Sequence, residues 1–77
     1  MSALLRLPSV IERVGLQRTA IYDRISCGLF PAPIKLGPRA SVWPAHEVEA
    51  CNDAIIKGKT AEEIKALVQQ LLIQRGA

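Results

Sequence analysis

Gly15-Leu16-Gln17-Arg18-Thr19-Ala20-Ile21-Tyr22-Asp23-Arg24-Ile25 is the stretch whose reading decides the fold. Gly15 suits a tight turn, because glycine tolerates the left-handed backbone found just past a helix C-terminus. Ile21 and Ile25, four apart, mark the buried edge of a short helix expected from about Arg18 to Ser26, with Gln17 near its start. Ala20 and Arg24 flank that edge, and Arg18, Thr19 and Tyr22 fall on the outer side. Upstream, Leu7-Pro8-Ser9-Val10-Ile11-Glu12-Arg13-Val14 predicts a first helix, with Pro8 where a missing N–H costs nothing. Leu16 is expected to plug the corner between the two. A helix, a tight turn and a second helix with a polar outer face form the arrangement that enters the major groove of DNA.

Downstream, Leu29-Phe30-Pro31-Ala32-Pro33 must be extended, because two prolines in three residues exclude a helix. Ile34 and Leu36 alternate with Lys35 as in a half-buried strand, Gly37-Pro38 marks a turn, and Ser41-Val42-Trp43 returns. The result is a small basic hairpin, a wing, anchored in the core by Trp43. Pro44 is expected to open a third helix at its first position, with Val48, Cys51 and Ile55 facing inward, and Gly58-Lys59 to break it. Thr60-Ala61-Glu62-Glu63 is a capping box, which starts a fourth helix running to about Arg75. Its apolar stripe is Ile64, Leu67, Val68, Leu71 and Leu72, with Ile73 off to the side.

The expected fold is therefore mainly α, a winged helix-turn-helix with a small β-hairpin wing and an extra C-terminal helix. Residues 1–58 form the DNA-binding domain. Residues 59–77 form an amphipathic helix that packs on the body, pairs with a second copy or docks on another protein. At two heptads its stripe is too short to be a stable coiled coil alone.

A chain of 77 residues leaves little room for a closed catalytic pocket. Its 49% apolar content argues for a folded core rather than disorder. The formal charge of +3 is unevenly spread. Residues 1–43 carry six basic side chains (Arg6, Arg13, Arg18, Arg24, Lys35, Arg39) against Glu12 and Asp23. Residues 44–77 carry four basic and five acidic ones, so the positive charge accompanies the proposed reading elements and points to a polyanionic partner.

Gln17, Arg18, Thr19, Tyr22 and Arg24 on the second helix and Lys35 and Arg39 on the wing are the expected DNA contacts. Arg18 can fork onto guanine N7/O6 or clamp a phosphate. Thr19 can meet a base edge or a thymine methyl, Tyr22 a phosphate oxygen, and Gln17 an adenine or the backbone. Arg39 at the wing tip suits a narrow minor groove, which attracts a guanidinium, and Lys35 suits phosphates. One reader of this size gives little specificity alone, so a homodimer or a cooperative array on DNA is expected.

No metal or cofactor is expected. With His46 the sole histidine and Cys27 and Cys51 far apart, one chain cannot build a four-ligand Cys/His zinc site. Glu47, Glu49, Asp53, Glu62 and Glu63 have no partner base or nucleophile and read as solvated faces, so an enzyme is not expected. Unpaired cysteines, the lack of a signal-peptide run and the lack of an apolar membrane span predict a cytoplasmic protein, at the nucleoid when bound to DNA.

The residues Leu5-Arg6-Leu7-Pro8, Val14-Gly15-Leu16, Arg18, Ile21-Tyr22, Gly28, Phe30-Pro31, Pro33-Ile34-Lys35-Leu36-Gly37, Arg39-Ala40, Trp43 and Glu47-Val48 together resemble the AlpA family of phage-type regulators. That family is a MerR-like winged helix-turn-helix group related to small phage excisionases. The resemblance covers about residues 4–57. It implies a DNA-binding protein of a mobile element, acting as a transcriptional regulator of, for example, an integrase or excision gene. Alternatively it implies an excisionase that binds and bends attachment-site DNA. Contact with an integrase or RNA polymerase through the C-terminal helix is the reading from another class. There are three departures from the family pattern. Gln17 stands at a usual capping serine, Asp23 where a basic or neutral polar residue is common, and Cys51-Asn52 in place of an aromatic–aliphatic pair.

Overall fold

The structure is a computed structural model that describes residues 3–76. Met1, Ser2 and Ala77, the ends of the two expected segments, lie outside the described residues. The elements run β1 (Leu4–Arg6), α1 (Leu7–Val14), α2 (Arg18–Ser26), β2 (Ile34–Gly37), β3 (Ala40–Pro44), α3 (Ala45–Ile56) and α4 (Ala61–Arg75). The protein is thus mainly helical with one small antiparallel sheet.

Local chemistry accounts for the helix ends. Pro8 lies in the first turn of α1, and Gly15 caps it at φ 79°, donating its N–H to the Ile11 carbonyl. Gly28, at φ 78°, makes the same left-handed exit after α2. Thr60 and Glu63 form the reciprocal capping box at α4: the Glu63 N–H reaches the Thr60 hydroxyl at 3.2 Å, and the Thr60 N–H reaches the Glu63 carboxylate at 3.0 Å. The α1–α2 link and the bounds of α2 agree with the sequence reading.

The sheet differs from the expected two-stranded hairpin. It has three strands in the order β1-β3-β2, because Leu4–Arg6 pairs antiparallel with β3 through Leu5↔Trp43 and Arg6↔Val42. A two-stranded ribbon is marginal in water, and the third strand supplies the missing edge partner. The β2–β3 register slips between Lys35 and Gly37. That irregularity ends the inward alternation, so Leu36, expected to be half-buried, is exposed. Pro44 closes β3 and sits at the N-cap of α3, not at its first helical position.

A single core joins every layer. Leu5, Val10, Ile21, Phe30, Trp43, Val48, Cys51 and Ala54 pack in one cluster with Ile64, Val68 and Leu71 of α4. Trp43 is fully buried, and its indole N–H donates to the Pro31 carbonyl at 2.9 Å. The Phe30 ring lies tilted against it, with centroids 6.3 Å apart. The α4 stripe is therefore spent on this body, while Ile73 projects outward. On α3 the inward arc centres on Glu47, Cys51 and Ala54 with Val48 at its edge. Ile55, expected to face inward, lies in the last turn of α3 and is exposed.

Glu47 is the main correction in the second half. Expected on a solvated face, it is fully buried. Arg75, at the last turn of α4, donates to both Glu47 carboxylate oxygens, from Nε at 2.8 Å and from the second guanidinium nitrogen. A bidentate guanidinium supplies what water would have supplied, and the first turn of α3 favours a negative charge. Asn52 makes a further tie, its amide donating to the Arg13 carbonyl at the end of α1 at 3.0 Å.

Two outcomes follow. Glu47→Gln leaves a buried guanidinium contact without its counter-charge and is expected to lower stability by about 3 kcal/mol, read from the urea midpoint; an unchanged midpoint contradicts the pairing. Cys27 is exposed and Cys51 buried. Burial, with the Glu47 charge second and opposed by Arg24, pushes the Cys51 thiol up from 9.0 to about 11. A raised folded value means the neutral thiol's contribution is complete below pH 9 and lost as pH rises toward 11. An aromatic disulfide reagent at neutral pH should modify one thiol in the native protein and the second only after unfolding; equal rates contradict the placement.

Candidate nucleic-acid interface

The residues forming the outer side of α2 come from the first half of one short helix. Ile21 is fully buried and Ile25 half-buried, which fixes the rotation of α2 about its axis. Arg18, Thr19 and Tyr22 are then exposed together. The Arg18 guanidinium lies over the Tyr22 ring, 5.9 Å from its centroid. Such a contact orders a long cationic side chain while leaving its hydrogen-bond donors at the rim. Gln17 is the N-cap, with φ −74° and ψ 164°, and makes no side-chain cap hydrogen bond. The first N–H groups of α2 thus lack the side-chain acceptor that serine would give.

Opposite α2 stands the β2–β3 hairpin. Pro38 and Arg39 form its tip, and Lys35 and Arg39 are both exposed. Between the helix and the hairpin runs an open cleft. It is lined by Arg18 and Tyr22 from α2, Lys35, Arg39 and Ser41 from the hairpin, and Arg6 at the end of β1. Four cations and two hydroxyls meet there, and no carboxylate lines it.

Placement separates the seven sequence-derived contact residues. Arg18, Tyr22, Lys35 and Arg39 share the cleft. Gln17 and Thr19 are exposed beside it at the start of α2. Arg24 is half-buried, with Nε enclosed and lacking a hydrogen-bond partner, and its charge acts on the Cys51 thiol. Asp23, the acidic departure on α2, is exposed but does not line the cleft. Arg6 was absent from the sequence-derived set. The signal for it was its membership of the basic half; what brings it to α2 is β1, a strand too short to read from alternation.

Among the described residues no group of three His, Cys, Asp or Glu side chains is placed to hold a metal ion, and no helix is long and apolar enough to cross a membrane.

Residues 3–51, more than half of the chain, match the family described as Prophage CP4-57 regulatory protein (AlpA). An uncharacterized protein, ORF88 of Enterobacteria phage P4, is 38% identical over 55 residues, which cover 71% of this chain and 62% of that protein. The chain therefore spans less than two thirds of that relative's length. No solved structure matches the chain. The matched region holds β1 through most of α3, and so contains the whole cleft.

The vacant cap at α2 generates its own test. Gln17→Ser is expected to raise stability by about 0.5–1 kcal/mol, measured by chemical denaturation. A loss of stability would mean that Gln17 is held by contacts other than those at the helix start.

Proposed function

This chain belongs to the AlpA family of phage regulatory proteins, a DNA-binding regulatory family, and from that premise we propose that it is a sequence-specific double-stranded DNA-binding transcriptional regulator of a phage or mobile element. In this reading α1 and α2 are a helix-turn-helix and the β2–β3 hairpin is its wing, a MerR-like winged arrangement. Residues 1–58 carry the DNA-binding activity, and residues 59–77 brace it.

The observation that carries the reading is the joint exposure of Arg18, Thr19 and Tyr22 on α2 over a buried Ile21, facing a basic hairpin across one cleft. Helix α2 enters the major groove by its N-terminal end, where Gln17, Arg18 and Thr19 meet base edges and Tyr22 meets the backbone. Lys35 and Arg39 reach the neighbouring minor groove or its phosphates. Arg24, turned partly into the fold, lends charge to the flank of α2. The direct output is control of a nearby gene. An excisionase would instead protect regularly spaced repeats at an attachment site, so the footprint near the chain's own gene separates the two. The site of action is the nucleoid in the cytoplasm.

A protein-docking module would use the apolar stripe of α4, of which Ile64, Val68 and Leu71 pack in the core, and this favours the DNA-binding reading. Arg18→Ala is expected to weaken binding to the preferred duplex by about 1–3 kcal/mol and to relax its preference over unrelated DNA. Mobility shift at fixed salt measures both. Equal binding of wild type and variant to the preferred site contradicts the assignment of Arg18 as a base reader.

A further inference from the structure

We infer that the cleft between α2 and the β2–β3 hairpin is a clamp for one sugar-phosphate strand of double-stranded DNA, and that Arg6 of β1 holds a phosphate in it. The inference rests on the DNA-binding reading above and adds to it a residue and a division of labour. A helix in the major groove and a hairpin in the adjoining minor groove straddle the single backbone strand that separates the two grooves. Side chains lining the gap from the sheet side therefore face phosphates rather than base edges, while Arg18, at the N-terminal end of α2, also reaches into the major groove.

The gap here has the chemistry of a phosphate clamp. Arg6, Arg18, Lys35 and Arg39 line it with the hydroxyls of Tyr22 and Ser41, and they come from β1, α2, β2 and the hairpin turn. Among the described residues none of these four cations forms an ion pair. Elsewhere three cations of the chain are paired with carboxylates. Lys57 meets Asp53 at 2.9 Å, Lys59 meets Glu63 at 3.8 Å, and Arg75 meets Glu47. Gathering four unpaired like charges in one concavity is unfavourable for the free protein, and a polyanion passing through it relieves the repulsion.

Arg6 differs from its neighbours in how it is held. It sits on the sheet, where Arg6 pairs with Val42 and the adjacent Leu5 with the buried Trp43. Its place is thus set by the core and not by the reading helix. It follows that Arg6 adds affinity without sequence preference, whereas Arg18 on α2 contributes to preference.

The test uses the full chain with two labelled duplexes, one selected for tight binding from a random pool and one of unrelated sequence. Fluorescence anisotropy at several salt concentrations gives the slope of log affinity against log salt. Arg6→Gln is expected to make that slope shallower by about 0.9 on both duplexes, the value for one released phosphate contact. The ratio of the two affinities should stay at the wild-type value, and the melting temperature should be unchanged or raised. Arg6→Lys, which keeps the charge, should hold the wild-type slope, as should Lys57→Gln outside the cleft. The clamp is overturned if Arg6→Gln keeps the wild-type slope, if it changes the ratio, or if Lys57→Gln flattens the slope as much. A wild-type protein that binds neither duplex with salt dependence overturns the DNA-binding reading itself, before any variant is compared.

Discussion

Trp43 is the constraint on which the rest of the structure depends. It lies on the central strand of the sheet with no solvent exposure, pairs across to Leu5, packs against Phe30 and donates its indole N–H to the Pro31 carbonyl. One side chain thereby ties the N-terminal strand, the segment leaving α2 and the hairpin. An indole N–H taken from water must find an acceptor, and a buried carbonyl must find a donor. Each satisfies the other only when the segment after α2 lies extended along β3, and Pro31 and Pro33 favour that extended path. The spacing between α2 and the hairpin, and so the width of the cleft, follows from this pairing.

Electrostatics divides the molecule along the same line. In α3 and α4 the carboxylates of Asp53, Glu63 and Glu47 are each matched by a cation one turn away or across the helix pair. Exposed pairs of the first two kinds contribute little to stability. The Glu47–Arg75 pair is different because it joins the first turn of α3 to the last turn of α4 in a largely dry setting. It helps hold α4 against the body that carries the cleft. The charge asymmetry of the sequence thus becomes a separation between a helix pair that holds the ion pairs and a cleft that gathers unpaired cations.

What was legible in the sequence is what local rules determine. Gly15, Pro8 and the Ile21–Ile25 spacing define α1, the turn and α2, and the rotation of α2 follows from the same two isoleucines. Thr60 and Glu63 announce α4 from four consecutive residues. What escaped depends on partners distant along the chain. β1 is three residues long and exists because Leu5 and Arg6 find Trp43 and Val42. Glu47 looks solvated until Arg75 arrives from the end of α4. Arg6 joins the candidate site only through β1, and Leu36 turns outward at an irregularity that alternation does not foresee. Arg24 follows the same logic: helical spacing puts it at the flank of α2, but not the partial burial that encloses its Nε.

The central claim is that the face shared by α2 and the hairpin is where DNA lies. Amide chemical shifts of the isotope-labelled full chain, followed during titration with a duplex chosen from a random pool, test it most directly. The account predicts that the largest changes map to residues 17–22, 34–41 and Arg6, while the outer side of α4 around Ile73 stays still. Changes concentrated on α3 and α4, with residues 17–22 and the hairpin unmoved, would contradict it.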